Sequence, residues 1–177
     1  MRLFVALDLP MVVRAELSAW AQQAARPEVR RVPAENLHVT LAFLGARGSD
    51  EAAAVRALLP ALARPLPGLC TAGALWLPPR RPGVLTVALE ADETLTALQA
   101  ELVAGLTSAI GFEPERRRFR AHVTVGRVAR GTRIDTRVAI DPPAPTLRFQ
   151  ARMLTLYRSR TTPQGAHYER LSGVELR

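Results

Sequence analysis

The sequence predicts an α+β protein: two pseudo-symmetric lobes of mostly antiparallel sheet flanked by helices, with a central cleft. Three observations carry that expectation. The strand-like run Leu3-Phe4-Val5-Ala6-Leu7-Asp8 is echoed 82 residues on by Leu85-Thr86-Val87-Ala88-Leu89-Glu90. The tripeptide His38-Val39-Thr40 returns 84 residues on as His122-Val123-Thr124. Each half also carries a helical apolar period between its two matched strands. A doubly wound sheet does not fit, because strands and helices fail to alternate one for one. At 177 residues the chain suits one domain, residues 1–177, with repeat units at about 3–45 and 85–128. A hydrophobic share of 48% supplies enough apolar surface for a core and argues against disorder.

The elements follow in chain order. Leu3 to Asp8 is a strand. Met11 to Ala25 places Val13, Leu17, Trp20, Ala21 and Ala24 on one helical face, and Pro27 ends it. The first His-Val-Thr strand comes next. Asp50 to Ala63 reads as a helix through Val55, Leu58, Leu59 and Leu62, shortened or kinked at Pro60. Leu69 to Leu77 is a strand and Pro78 to Gly83 a turn. Asp92 caps a helix carrying Leu95, Leu98, Leu102, Leu106 and Ile110, closed by Gly111. After the second His-Val-Thr strand, Ile134 to Pro145 is a proline-rich connection. Thr146 to Tyr157 and His167 to Leu176 read as strands, joined by a turn at Thr162-Pro163-Gln164-Gly165.

Charge and cysteine usage narrow the setting. Twenty-four basic residues against sixteen acidic ones give +8, and every basic residue is Arg. Coding bias accounts for Arg in place of Lys but not for the surplus, which favours anionic partners such as nucleic acid or phosphate esters. The single Cys70 has no partner for an intramolecular disulfide and no nearby His, so it reads as a buried inert thiol in a reducing compartment. The apolar run after Arg2 is cut by Asp8 and Pro10, too short for a secretory signal. The uncharged stretch Pro65 to Pro79 carries four prolines and does not suit a membrane span. A cytoplasmic protein without membrane association is expected, and a monomer.

The repeated motif holds the chemistry. Residues two apart in a strand share a face, so His38 lies with Thr40 and His122 with Thr124, while Leu37, Val39, Leu41, Val123 and Val125 face the core. Under a pseudo-twofold the two His-Thr pairs face each other across the cleft. Two imidazoles, one neutral and one protonated, make an acid-base pair near pH 7. Two Thr hydroxyls and an Arg can hold an anion between them. This set can open or close a phosphodiester without a nucleophilic side chain, since water or a ribose hydroxyl attacks. A two-histidine metal site is disfavoured, because neither motif contains Cys, Asp or Glu to complete a ligand set. No metal and no cofactor are expected.

Asn36-Leu37-His38-Val39-Thr40-Leu41-Ala42-Phe43-Leu44-Gly45 and Phe119-Arg120-Ala121-His122-Val123-Thr124-Val125-Gly126-Arg127 resemble the paired HxTx motifs of the two-histidine phosphoesterases. The opening Arg2 to Leu7 and the closing Gly165 to Leu171 resemble the bacterial and archaeal RNA 2′,3′-cyclic phosphodiesterases, also called 2′,5′ RNA ligases. The resemblance implies a bilobal fold and metal-independent hydrolysis of an RNA terminal 2′,3′-cyclic phosphate to a 2′-phosphate, with reversible 2′,5′ ligation using the same groups. It implies His122 as general base and His38 as general acid, roles that the residues alone leave interchangeable. Thr40 and Thr124 would hold the non-bridging oxygens. It points further to Phe43 and Arg127, five residues after each His, as substrate contacts. Strict alternation puts both on the face away from the histidines, so they reach the cleft only if the strand bulges or ends first, which Gly126 permits. Ala121 stands where many relatives have Pro.

Other basic clusters remain. Arg116-Arg117-Arg118 and Arg120 lead into the second motif and are placed to follow RNA phosphates. Arg30-Arg31 and Arg80-Arg81 have less reason to face the cleft. His167 lies outside both repeats and receives no role. Two other readings stay open: a phosphodiesterase for small cyclic nucleotides or 2′,5′-linked oligonucleotides, and a non-catalytic RNA-end binding module.

Overall fold

The first strand, β1 (Arg2–Asp8), is a run of five buried residues with the polar ends outside, the pattern of a strand covered on both faces. In the computed structural model, which describes residues 1–24, 26–162 and 165–177, it lies inside a long, mostly antiparallel sheet. The other elements are α1 (Met11–Ala24), β2 (Val29–Arg31), β3 (His38–Ala46), α2 (Ser49–Leu58), β4 (Leu69–Leu77), β5 (Val84–Leu89), α3 (Glu93–Ile110), β6 (His122–Val128), β7 (Arg148–Phe149), β8 (Met153–Thr162) and β9 (Gly165–Glu175). Strand order is β7-β4-β5-β6-β3-β1-β8-β9, with β2 added alongside β6.

The two halves meet at a single backbone pair, Val39 with Val123, where β3 and β6 run antiparallel. The helices cross this seam, α3 packing against β3 and α1 against β6. Val13, Leu17, Trp20, Ala21 and Ala24 are the buried face of α1, as their spacing predicts. In α3 the Asp92 carboxylate accepts the Leu95 N–H at 2.6 Å. Gly111 closes that helix in the left-handed conformation at φ 60°, where a side chain is disfavoured. Leu95, Leu98, Leu102 and Leu106 are fully buried between these ends, each contributing roughly 1.5–3 kcal/mol of burial.

Several expectations shift. The Met11–Ala25 helix is observed through Ala24, and Ala25 lies outside the described residues. The Asp50–Ala63 helix becomes α2 followed by a tight 3-10 turn at Leu59–Leu62, because Pro60 has no N–H to continue the α ladder. The Thr146–Tyr157 strand divides: β7 pairs with β4 at one flank of the sheet, while β8 pairs with β1 near the other. Gln150–Arg152 join them, so the sheet curls until its flanks come within three residues' reach. The last strand starts at Gly165, two residues before the expected His167, and the turn at Pro163 and Gln164 lies outside the described residues. Ile134–Pro145 is irregular as expected, tied to α1 by the Trp20 indole N–H donating to Pro142 O at 2.9 Å.

The strand echo needs a correction of register. Asp8 pairs with His38, whereas Ala88 pairs with His122. Structurally equivalent positions of β1 and β5 are therefore 80 residues apart, not 82. The two-residue difference preserves which face each residue occupies, so the duplicated strand-helix-strand frame stands although the matched hexapeptides are offset within it.

Candidate active site

Each histidine is held by the same local device. His38 Nδ1 lies 2.7 Å from Asn36 O, and His122 Nδ1 lies 2.8 Å from Arg120 O. A carbonyl oxygen only accepts, so both Nδ1 atoms carry the proton and leave each Nε2 with its lone pair free to accept. The Val39–Val123 pair fixes the relation of the two motifs. Continuing that antiparallel register by one residue sets His38 across from Thr124 and Thr40 across from His122. All four side chains are half-buried on one face, and neither Thr hydroxyl bonds to protein among the described residues.

Both strands bulge three residues past their histidine. Leu41 is the extra residue in β3, between the pairs Ala6–Thr40 and Val5–Ala42. Val125 is its counterpart in β6, between Thr86–Thr124 and Leu85–Gly126. The carbonyls freed by the bulges are both satisfied: Leu41 O accepts from Gln99 Nε2 at 3.3 Å, and Val125 O from the Val32 N–H at 2.8 Å. Each bulge reverses the alternation, turning Phe43 and Arg127 out as exposed side chains on the histidine face. Gly126 is needed there, since a Cβ would stand 2.5 Å from Val29 Cγ1 of β2.

A cleft of about 1160 Å³ opens beside this face, lined by Thr40, Phe43, His122 and Arg127. His38 and Thr124 lie on the same strands but do not line it. Five more arginines do: Arg80 and Arg81 from the β4–β5 turn, and Arg117, Arg118 and Arg120 from the approach to β6. Arg80 and Arg81 therefore face the cleft, contrary to the sequence expectation, because the β4–β5 hairpin folds its turn beside the seam. Glu113 and Glu115 are the acidic residues of the lining. None of the six lining arginines has a side-chain partner among the described residues.

His38 sits in a different setting from His122. Phe4 stacks on its ring at 4.8 Å between centroids, and Tyr168 meets it edge-on at 5.4 Å. Burial among these rings pulls the imidazole down to about 4, outweighing the Asn36 hydrogen bond and the Asp8 charge, which both favour the cation. Asp8 accepts hydrogen bonds from Thr155 at 3.0 Å and Tyr157 at 2.8 Å. Burial, with Asp8 adding to it, pushes the Tyr157 hydroxyl up to about 12, so it remains a donor. Sequence reasoning missed Phe4, Asn36, Asp8, Tyr157 and Tyr168. Asp8 was visible only as the end of a repeated strand, and the tyrosines lie in strands outside the repeat. His167 is exposed, and Cys70 is buried.

The chain is similar to several known proteins along nearly its whole length. A protein of Methanocaldococcus jannaschii, RNA 2′,3′-cyclic phosphodiesterase, is 26% identical over 96% of this chain and 97% of its own. The Escherichia coli protein of the same description is 30% identical over 89% of this chain and 86% of its own. The crystal structure of a Thermus thermophilus protein, TT0787, superposes with a TM-score of 0.83 at 32% identity, covering 99% of this chain and 98% of the other. Residues 10–163 match the 2′-5′ RNA ligase superfamily, so with its paired His-x-Thr strands flanking one seam the chain belongs to that superfamily.

Proposed function

We propose that this protein hydrolyses the terminal 2′,3′-cyclic phosphate of RNA to a 2′-phosphate by acid-base catalysis between His38 and His122. The observation that carries the reading is the seam itself, where one strand pair sets two Nδ1-anchored imidazoles and two Thr hydroxyls, unengaged among the described residues, on one face. The relatives' activity agrees with it.

The cyclic phosphate sits between the motifs, its non-bridging oxygens accepting from Thr40 and Thr124, with Arg127 adding charge. His122 Nε2 takes a proton from water as the water oxygen bonds to phosphorus. The P–O3′ bond breaks, and His38 Nε2–H protonates the departing 3′-oxygen. The product is a 2′-phosphate with a free 3′-hydroxyl, and proton exchange with solvent resets the pair. His38 is neutral in the free protein. The bound phosphodiester anion supplies the negative charge that offsets its burial, so His38 gains its proton as substrate binds. With a ribose 5′-hydroxyl attacking in place of water, the same groups join two RNA ends through a 2′,5′ linkage.

The six arginines of the cleft, without a side-chain partner among the described residues, favour a polynucleotide over a free cyclic mononucleotide. An RNA oligomer ending in 2′,3′-cyclic phosphate, incubated with the protein in a chelator, tests the reading. A 2′-phosphate product, formed faster than from a cyclic mononucleotide, is expected. Retention of the end without conversion would replace hydrolysis by end-binding, and a preference for the mononucleotide would remove RNA as the substrate.

A further inference from the structure

The β8–β9 hairpin lies outside both repeats, yet it closes over one histidine only. Past its pairing with β1, which ends at Arg2–Ser159, it turns back across the histidine face. Tyr168 packs its ring against Phe4 at 4.9 Å and against His38 at 5.4 Å, both edge-on. Farther along, Ala166 O accepts from the Asn36 side-chain amide at 2.8 Å. Asn36 thus grips His38 through its backbone carbonyl and the hairpin through its side chain.

The structural counterparts in the second half carry none of this. Opposite the motif histidine stands Asp8 in one half and Ala88 in the other. The partner of Phe43 is Phe4, while that of Arg127 is Val84. The residue two before each histidine is Asn36, latched to the hairpin, and Arg120, which is exposed and lines the cleft. A duplicated frame would give two equivalent imidazoles, and the hairpin with its β1 contacts removes that equivalence.

We infer that Tyr168 and Asn36 are positioning residues: with Phe4 they box the His38 ring, aim its Nε2 at the seam, and fix the two histidines in different roles. This deepens the hydrolytic reading of the same site and rests on it for the direction of the roles. The groups facing His38 are Asp8 from β1, Tyr157 from β8, Tyr168 from β9, Arg127 from β6 and Arg14 from α1. Of these, Asp8 favours the imidazolium and the two arginines oppose it. The surrounding rings exclude water and outweigh these charges.

The test is an NMR titration of both imidazoles in the full chain, beside the pH dependence of kcat on a cyclic-phosphate RNA end. Tyr168→Ala is expected to raise the His38 midpoint by about one unit or more as water enters. It should leave His122 at its parent value and lower kcat more than it changes KM. Tyr168→Phe, which keeps the ring, restores the parent midpoint. Asn36→Ala loses only the latch and moves His38 the same way by less, which decides the matter if Tyr168→Ala does not fold. An unmoved His38 midpoint in the folded variants, or equal movement of His122, would overturn the inference. The titration reads out even if the protein proves inactive on RNA ends, so failure of the hydrolytic reading is seen separately.

Discussion

His38 shows how surroundings rather than identity set what a side chain does. Its motif is the same as that of His122, yet aromatic burial takes its pKa from 6.5 to about 4. A folded-state pKa below the unfolded value means the unfolded chain binds more protons between those limits. The contribution of this group to stability is therefore complete above about pH 6.5 and is lost as pH falls through 4. Thermal unfolding of the parent should weaken more steeply between pH 6.5 and 4 than that of His38→Gln, which has nothing to protonate. Parallel curves would show that His38 titrates normally. Phe43 and Arg127 make the complementary point, since both reach the histidine face only through a backbone irregularity that their own identities do not encode.

At the scale of elements, the paired bulges in β3 and β6 bring Phe43 and Arg127 to the histidine face. The bulge in β6 depends on Gly126, where the β2 backbone comes alongside and Val29 fills the space a side chain would need. Gly126→Ala should cost about 1–3 kcal/mol through that overlap and lower turnover by displacing Arg127. Adding Val29→Ala should return part of the lost Tm, an interaction a double-mutant cycle measures. Additive losses would show that the β2 contact does not govern the bulge. The helices, the repeat and the two His-x-Thr strands were legible because each is written as local periodicity or a close echo. The bulges were foreseeable only as a possibility, because alternation forbids what position five after each histidine requires. The division of the Thr146–Tyr157 strand was not legible, since nothing local in an apolar β-prone run says that its two ends pair with opposite flanks of a curled sheet.

Across the whole molecule, a near-twofold frame carries a site that is not twofold. The first half sets its histidine against Phe4 and the hairpin tyrosines, with Phe43 next to Phe4, whereas the histidine of the second shares its cleft lining with arginines. Aromatic rings on one side suit a base, and a cluster of guanidinium groups on the other suits phosphates. The sequence displayed the duplication, the Arg surplus and the second-half Arg cluster. It hid the asymmetry around His38, because Asp8, Asn36, Tyr157 and Tyr168 are far apart in the chain and meet only when the hairpin folds back over β1. Hydrolysis as proposed requires both histidines in one proton-transfer reaction at the seam. The most direct measurement is the single-turnover rate on an RNA end bearing 2′,3′-cyclic phosphate for the parent, His38→Ala and His122→Ala. Each substitution should lower that rate by about 10²–10⁴-fold, as loss of a general acid or base does. Either variant retaining a rate within about tenfold of the parent would contradict the two-histidine account.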